Sequence, residues 1–255
     1  MEKDTAVVCC IALDEELYLD EWVTYNIGIG FDYVYIYDNS EDHKLAEFFK
    51  GKPHESRVVV IHFPLRFGQW VAYNHFVTTN KDIHTFAAFI DCDEFILLKK
   101  HACIHDLLRE HCKSGGLVLN WWLFTNSFQT SYIPEPVTKR FQHKKTLPDR
   151  HIKSIVRLTD AGIFNMNPHA PTYTNGEVAR DTSGNVVHGP FNYDMPVDVA
   201  YIHHYHWKSE DEFRKKIARG CADTPMIRTM DGFDESWQND TIDSSAWDVF
   251  NNMTA

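Results

Sequence analysis

Asp91-Cys92-Asp93 places two carboxylates one residue apart, between the apolar run Phe86–Ile90 and the apolar Phe95-Ile96-Leu97. Side chains alternate faces along an extended backbone, so the two acids would share a side if the strand ran through them. Adjacent carboxylates repel and are costly to desolvate unless a cation sits between them. A magnesium or manganese ion carrying a phosphorylated ligand answers that need, because hard oxygen ligands suit these metals. The plainer alternative is a strand that ends in a solvated acidic turn.

A second set of chemistry-bearing residues runs Tyr201-Ile202-His203-His204-Tyr205-His206-Trp207-Lys208-Ser209. Strand alternation would put His204 and His206 on one face and His203 and Tyr205 on the other. Imidazoles on one face offer metal ligands, or they pack as rim and core groups beside the aromatics. Ser209 and Glu212 form a capping-box signature for a helix running to Gly220. Lys208 then stands directly before a helix N-terminus, where free N–H groups and the dipole favour phosphate, although the acids of the first turn compete. Together the two sets describe a diphosphate–metal site. Charge developing on a departing diphosphate would be stabilised by the metal and the lysine.

Elements of a parallel α/β fold must position these groups. Thr5–Leu13 reads as a strand, and Asp14 as the cap of a helix with Leu19, Val23 and Ile27 at helical spacing, ending near Gly28 and Gly30. Tyr33–Tyr37 is a second strand closed by Asp38-Asn39-Ser40. A short helix ends at Gly51, Val58–Phe63 is a third strand, and Gln69–Thr79 is a helix leading into the Asp91 strand. This alternation implies a largely parallel sheet with right-handed crossovers, and ligands bind at the carboxyl ends of such strands, where Asp38 and Asp91 fall. Ile104–Cys112 continues as helix, Gly116–Trp121 and Ile152–Leu158 as strands. Residues 124–200 are rich in Pro, Asn, Thr and His and read as loops over the sheet edge. We expect one domain over 1–255, with 1–122 as a nucleotide-binding half, 123–230 as a loop-rich acceptor side, and 231–255 as a weakly patterned, partly mobile tail.

The bulk composition narrows the classes of function. A formal charge of −11 argues against a general nucleic-acid or anionic-membrane binder. No stretch has the length of a transmembrane segment, and Met1-Glu2-Lys3-Asp4 does not open a signal peptide. The six cysteines contain no C-x-x-C pair, so neither cysteine zinc-site spacing nor a disulfide framework is expected, and a reduced, cytoplasmic setting fits. The sequon Asn239-Asp240-Thr241 then carries no glycan.

On these residues the chain resembles glycosyltransferases of the GT-A (Rossmann-like) fold, in particular family 92 and its glycosyltransferase-2-like relatives. The matching stretches are Asp14-Glu15-Glu16 through Glu21-Trp22, Tyr37-Asp38-Asn39-Ser40, and Phe89 through Phe95. Asn120-Trp121 with Phe124, Arg140-Phe141, Lys153-Ser154-Ile155-Val156, His204-Tyr205 with Lys208-Ser209, and Lys216 with Arg219-Gly220 complete the series. The chain departs from its relatives at Ala12-Leu13-Asp14 and at Thr125-Asn126, positions that bear on base and acceptor contacts.

The resemblance implies transfer of a hexose or pentose from a nucleotide diphosphate donor, most often a UDP-sugar, to a glycan or glycoconjugate, with Mn2+ or Mg2+. By matching position Asp38 would contact the nucleoside, Asp91 the ribose or a metal-bound water, and Asp93 the metal. His204 would be a further metal ligand, and Lys208 and Ser209 would hold the diphosphate. Lys153 and Arg66 would touch donor phosphate or sugar, or be surface charges. One of Trp121 and Trp122 could stack on a sugar. Inversion, expected of the family, needs a base for the acceptor hydroxyl. Asp149, Glu177, Asp181, Asp194 and His169 are the candidates, with Asp181, Asp194 and His169 carried forward. Two rival readings stand beside this one: a non-catalytic nucleotide- or glycan-binding module, and a metal-dependent phosphohydrolase.

Overall fold

The computed structural model describes residues 4–238 and 240–254, so Asn239 of the sequon lies outside the described residues, as do Met1–Lys3. β-Branched and aromatic runs punctuated by glycine form β1 (Ala6–Ala12), β2 (Tyr33–Asp38), β3 (Val58–His62) and β4 (Phe86–Phe89), with α1 (Glu16–Gly28), α2 (Lys44–Phe48) and α3 (Gln69–Asn80) between them. These four strands pair in the order β3-β2-β1-β4, all parallel, as the alternating pattern predicts.

The sheet then turns mixed. β8 (Asp149–Arg157) inserts antiparallel between β4 and β6 (Gly116–Leu123), extending the Ile152–Leu158 expectation at its start. β6 carries β9 (Ala179–Arg180) beside its first residues and β11 (Ala200–His204) beside its last, both parallel to it. β5 (Glu94–Leu98) lies antiparallel outside β11, and β10 (Val186–Val187) outside β9. The sheet therefore runs without interruption across position 122. The carboxyl ends of β1, β2, β4, β6 and β11 share one edge, and Asp91, Trp121 and His204 sit along it.

α1 covers one face. Its Trp22 Nε1 donates to the Glu94 carbonyl at 2.9 Å and its Tyr25 hydroxyl to the Ile96 carbonyl at 3.0 Å. α3 covers the other face, burying Tyr73 and Phe76 against Phe89 and Phe164. α4 (Ile104–His111) follows β5, α5 (Val137–Arg140) follows β6, and α6 (Glu210–Arg219) follows β11.

Two expectations need correction. Asp14 does not cap α1: its backbone is left-handed (φ 53°) and its carboxylate pairs with Lys44 at 2.6 Å, while Glu15 occupies the cap position without a side-chain bond to the helix N–H groups. The tail carries elements that its weak pattern does not reveal. β12 (Thr241–Ile242) pairs with β7 (His143–Lys144), and α7 (Ser245–Thr254) buries Ala246 and Phe250. α7 packs on the end of α1, where the missing side chain of Gly28 leaves room for Met253: a Cβ there would lie 2.1 Å from its Sδ and push that side chain aside.

Candidate functional site

The acidic motif is a turn rather than a continued strand. β4 stops at Phe89 and β5 starts at Glu94, with the Glu94 N–H bonded to the Asp91 carbonyl at 3.0 Å. Glu94 reaches back to accept the Asp91 N–H through Oε2 at 2.9 Å. It is fully buried, and desolvation pushes its carboxyl well above the ordinary range despite Lys153 nearby. The two aspartates consequently take different partners instead of standing side by side, though both line one cleft. Asp91 accepts from Lys153 Nζ at 2.8 Å and from Gln69 Nε2 at 2.6 Å. Asp93 accepts from Lys216 Nζ at 2.7 Å and faces Lys208 Nζ at 3.8 Å. Burial opposes the charge on Asp93, but the Lys216 and Lys208 ammoniums outweigh it and hold the carboxyl well below the usual range.

The cleft encloses about 210 Å³ and is walled by Asp91 and Asp93, by Trp121 and His169, and by His204 and His206. The alternation expected in β11 holds: His204 and His206 lie together, ring centroids 5.3 Å apart, while His203 packs on Phe124 and contacts Tyr205 on the opposite face. Burial lowers the His204 pKa to about 3, so its ring is neutral at pH 7. Its Nε2 stands 3.6 Å from Asp93 Oδ1, and its buried Nδ1 has no hydrogen-bond partner. An anionic oxygen and a neutral imidazole nitrogen at that separation fit a divalent cation. Asp93 and His204 would hold it, and Asp91 stands across the cleft for a coordinated water.

The remaining residues singled out in the sequence divide sharply. Lys153 is buried in β8 and belongs to the site through Asp91. Lys208 belongs to it through Asp93, at a left-handed φ of 57° that turns the chain into α6. Trp121 faces the cleft, 4.3 Å from the His204 ring, whereas Trp122 points away beneath Lys144.

His169 lines the cleft. Its Nδ1–H donates to the Ile152 carbonyl at 2.9 Å, so Nε2 carries the lone pair. Burial, with Lys153 beside it, lowers its pKa to about 4.

Other candidates are turned to structural tasks. The Asp38 carboxylate accepts from Ser40 N–H and hydroxyl and from Leu45 N–H, tying β2 to α2. Ser209 is fully buried and engaged with Glu212 in the capping box, which leaves its hydroxyl closed to a phosphate. Asp181 is buried and accepts from Ser183 N–H and Asn185 N–H, both at 2.9 Å, closing the β9–β10 turn. Asp194 is exposed near Asn185, Glu177 accepts from Ser114, and Arg66 is an exposed loop residue; none of the three lines the cleft. Asp149 holds His151 Nδ1 at 2.6 Å, and the His151 ring stacks on Trp121 from outside.

Sequence reasoning gave Lys216 and Arg219 no role, although both lie on the cleft. Lys216 also donates to the His206 carbonyl at 2.9 Å, and Arg219 pairs with Glu15 at 2.7 Å. Their signal was the helical spacing Glu212, Lys216, Arg219, which puts all three on one side of α6. Gln69, Arg228 and the segment Gly220–Asp223 complete the rim.

Residues 4–244 match the family model described as glycosyltransferase family 92. A glycosyltransferase family 92 protein of Ricinus communis is 26% identical over 229 residues, covering 84% of this chain and 38% of the relative. One from Arabidopsis thaliana is 25% identical over 236 residues, covering 86% and 38%. A third, from Oryza sativa subsp. japonica, is 28% identical over 155 residues, covering 59% and 26%. The chain thus spans less than two fifths of the length of these relatives. Among the described residues no helix is long and apolar enough to cross a membrane.

Proposed function

The chain belongs to glycosyltransferase family 92, and from that premise we propose that it transfers a sugar from a nucleotide diphosphate donor, a UDP-sugar, to a hydroxyl of a glycan or glycoconjugate. The observation that carries this reading is the convergence on Asp93 of one imidazole and two ammoniums, His204, Lys216 and Lys208, at the carboxyl edge of the sheet. Asp93 and His204 would hold Mn2+ or Mg2+, which when bound would supply charge stabilisation to the diphosphate. Lys216 and Lys208, both beside Asp93, would turn to the phosphate oxygens and stabilise the charge that develops on the leaving group. Asp91, oriented by Lys153 and Gln69, takes the ribose or a coordinated water.

The transfer is inverting. The acceptor oxygen forms its bond to the anomeric carbon as the bond to the diphosphate breaks, and the acceptor proton leaves to a base. His169 is that base: it lines the cleft, is neutral at pH 7, and has Nε2 free to accept a proton. Trp121 offers a flat apolar face to the sugar between the metal residues and His169.

The test is a panel of UDP, GDP, CMP and dTDP, each with manganese or with chelator, read by thermal unfolding. A ligand that binds only the native state raises its stability by mass action. The expected result is a manganese-dependent shift with UDP, followed by sugar turnover on a glycan acceptor that His169→Gln reduces in kcat. Binding without turnover on any acceptor would favour a non-catalytic module. Phosphate release from simple esters would favour a phosphohydrolase.

A further inference from the structure

We propose that His101, Glu110 and His111 form a zinc site at the opposite end of the strands from the cleft. Among the described residues they are the one group of three His, Cys or acidic side chains whose ligand atoms all lie within 4.8 Å of one another. His101 stands in the turn after β5, and Glu110 and His111 are the last two residues of α4. The Asp91 turn precedes β5 and His101 follows it, so the length of the strand, about 17 Å at the usual rise per residue, separates the two sites.

The geometry is that of ligands around a shared point. His101 Nε2 lies 3.0 Å from one Glu110 oxygen, and His111 Nε2 lies 3.6 Å from the other. The two imidazoles meet edge to face, centroids 5.5 Å apart at 89°. Both rings are largely buried, with side chains 9% and 15% exposed, while Glu110 is 66% exposed. A simple His–Glu hydrogen bond accounts for His101 and Glu110 but not for the rest. His111 Nε2, which faces Glu110, is buried without a hydrogen-bond partner. Buried polar atoms are nearly always partnered, so an orphaned ring nitrogen aimed at a carboxylate calls for a cation.

Two imidazoles and one carboxylate are the ligand types of a borderline-soft divalent ion, and three protein ligands leave zinc a fourth position for water. The cleft offers one carboxylate and one imidazole, whereas this site offers a carboxylate and two imidazoles, the ligand set that zinc prefers. A bound ion here would fasten the turn after β5 to the C-terminal end of α4. That joins two segments at the base of the sheet.

The test is calorimetric titration of zinc chloride into the full chain after chelation and dialysis, with cobalt(II) absorption as the coordination probe. The expected result is one zinc per chain, retained in the cleft double variant Asp93→Asn/His204→Gln and lost in His101→Gln/His111→Gln. Glu110→Gln, at an exposed side chain, leaves the fold unaffected and weakens zinc binding by at least about tenfold. Zinc should also raise the unfolding temperature of the unmodified chain but not of the double histidine variant. No stoichiometric binding, or zinc affinity unchanged in Glu110→Gln and His101→Gln/His111→Gln, would overturn the assignment. So would loss of zinc in the cleft variant alone.

Discussion

Lys216 Nζ donates to Asp93 Oδ2 at 2.7 Å, and the same carboxylate faces His204 across its other oxygen at 3.6 Å. A lysine from α6 thus neutralises the acid that a cation would otherwise satisfy. Burial lowers the Lys216 pKa, although Asp93 acts in the opposite direction. In the proposed donor complex this ammonium exchanges a carboxylate for a phosphate oxygen.

Lys216→Met should therefore weaken nucleotide diphosphate binding while metal binding by Asp93 and His204 survives. Hydrogen bonds to charged groups contribute about 1.5–3 kcal/mol, which corresponds to roughly 10- to 150-fold in affinity. Titration of UDP and of manganese separately into the variant checks the split. Equal loss of both would mean that Lys216 holds the turn rather than the donor.

Lys153 is a buried cation between Asp91 and Glu94, 2.8 and 3.8 Å from their carboxylates. Lys153→Met leaves the fully buried Glu94 and the one-third-exposed Asp91 with no cation between them, and should cost up to about 3–5 kcal/mol, the Asp91 share being reduced by solvent. Chemical denaturation measures it. Adding Asp91→Asn to that variant should restore part of the loss, because one of the stranded charges is then gone.

Arg140 and Glu212 form a second buried pair, their side chains 1% and 2% exposed, joined by the Tyr18 hydroxyl at 2.8 Å from Glu212. It links α5 and α1 to the start of α6, and so fixes the helix that carries Lys216 and Arg219. Arg140→Met should destabilise by about 3–5 kcal/mol, and the double variant with Glu212→Met by less than the sum of the single changes.

Much of this architecture is legible in the sequence, and the exceptions have physical causes. The four parallel strands stand out because Val, Ile and aromatic runs are separated by Gly and polar turns. The capping box at Ser209 and Glu212 and the facing of the histidines in β11 follow from local spacing alone. The turn at Asp91 does not, because Phe86–Leu97 is apolar on both sides of it; the break depends on Glu94 bonding back to the Asp91 N–H and on Lys153 arriving from β8. Asp38 and Ser209 look like site residues until the partners that occupy them, Leu45 and Glu212, are seen in place. α7 has only Ala246 and Phe250 to mark its buried face, too few to reveal a helix without α1 beside it.

Acid should destabilise the fold through His203. Desolvation lowers its pKa to about 3 inside the fold, against an unfolded value of about 6.5. The unfolded chain takes up this proton first, so the contribution is fully present above pH 6.5 and is lost as pH falls toward 3. At pH 5 the loss is about 2 kcal/mol. His203→Phe preserves the stacking on Phe124 and should flatten the decline between pH 7.5 and 5 by about that amount, with any lost bond to Tyr205 adding a cost that does not vary with pH. Denaturation in the presence of chelator keeps cleft metal out of the comparison. An unchanged slope would place the titrating proton elsewhere.

The central claim is that Asp93 and His204 hold the divalent cation through which a nucleotide diphosphate binds. Calorimetric titration of UDP into the unmodified chain and into Asp93→Asn, with manganese and with chelator, addresses it directly. Manganese-dependent binding should disappear in Asp93→Asn while the variant's far-UV spectrum and cooperative unfolding are retained. Manganese-dependent UDP binding of equal strength in the folded Asp93→Asn variant would contradict it.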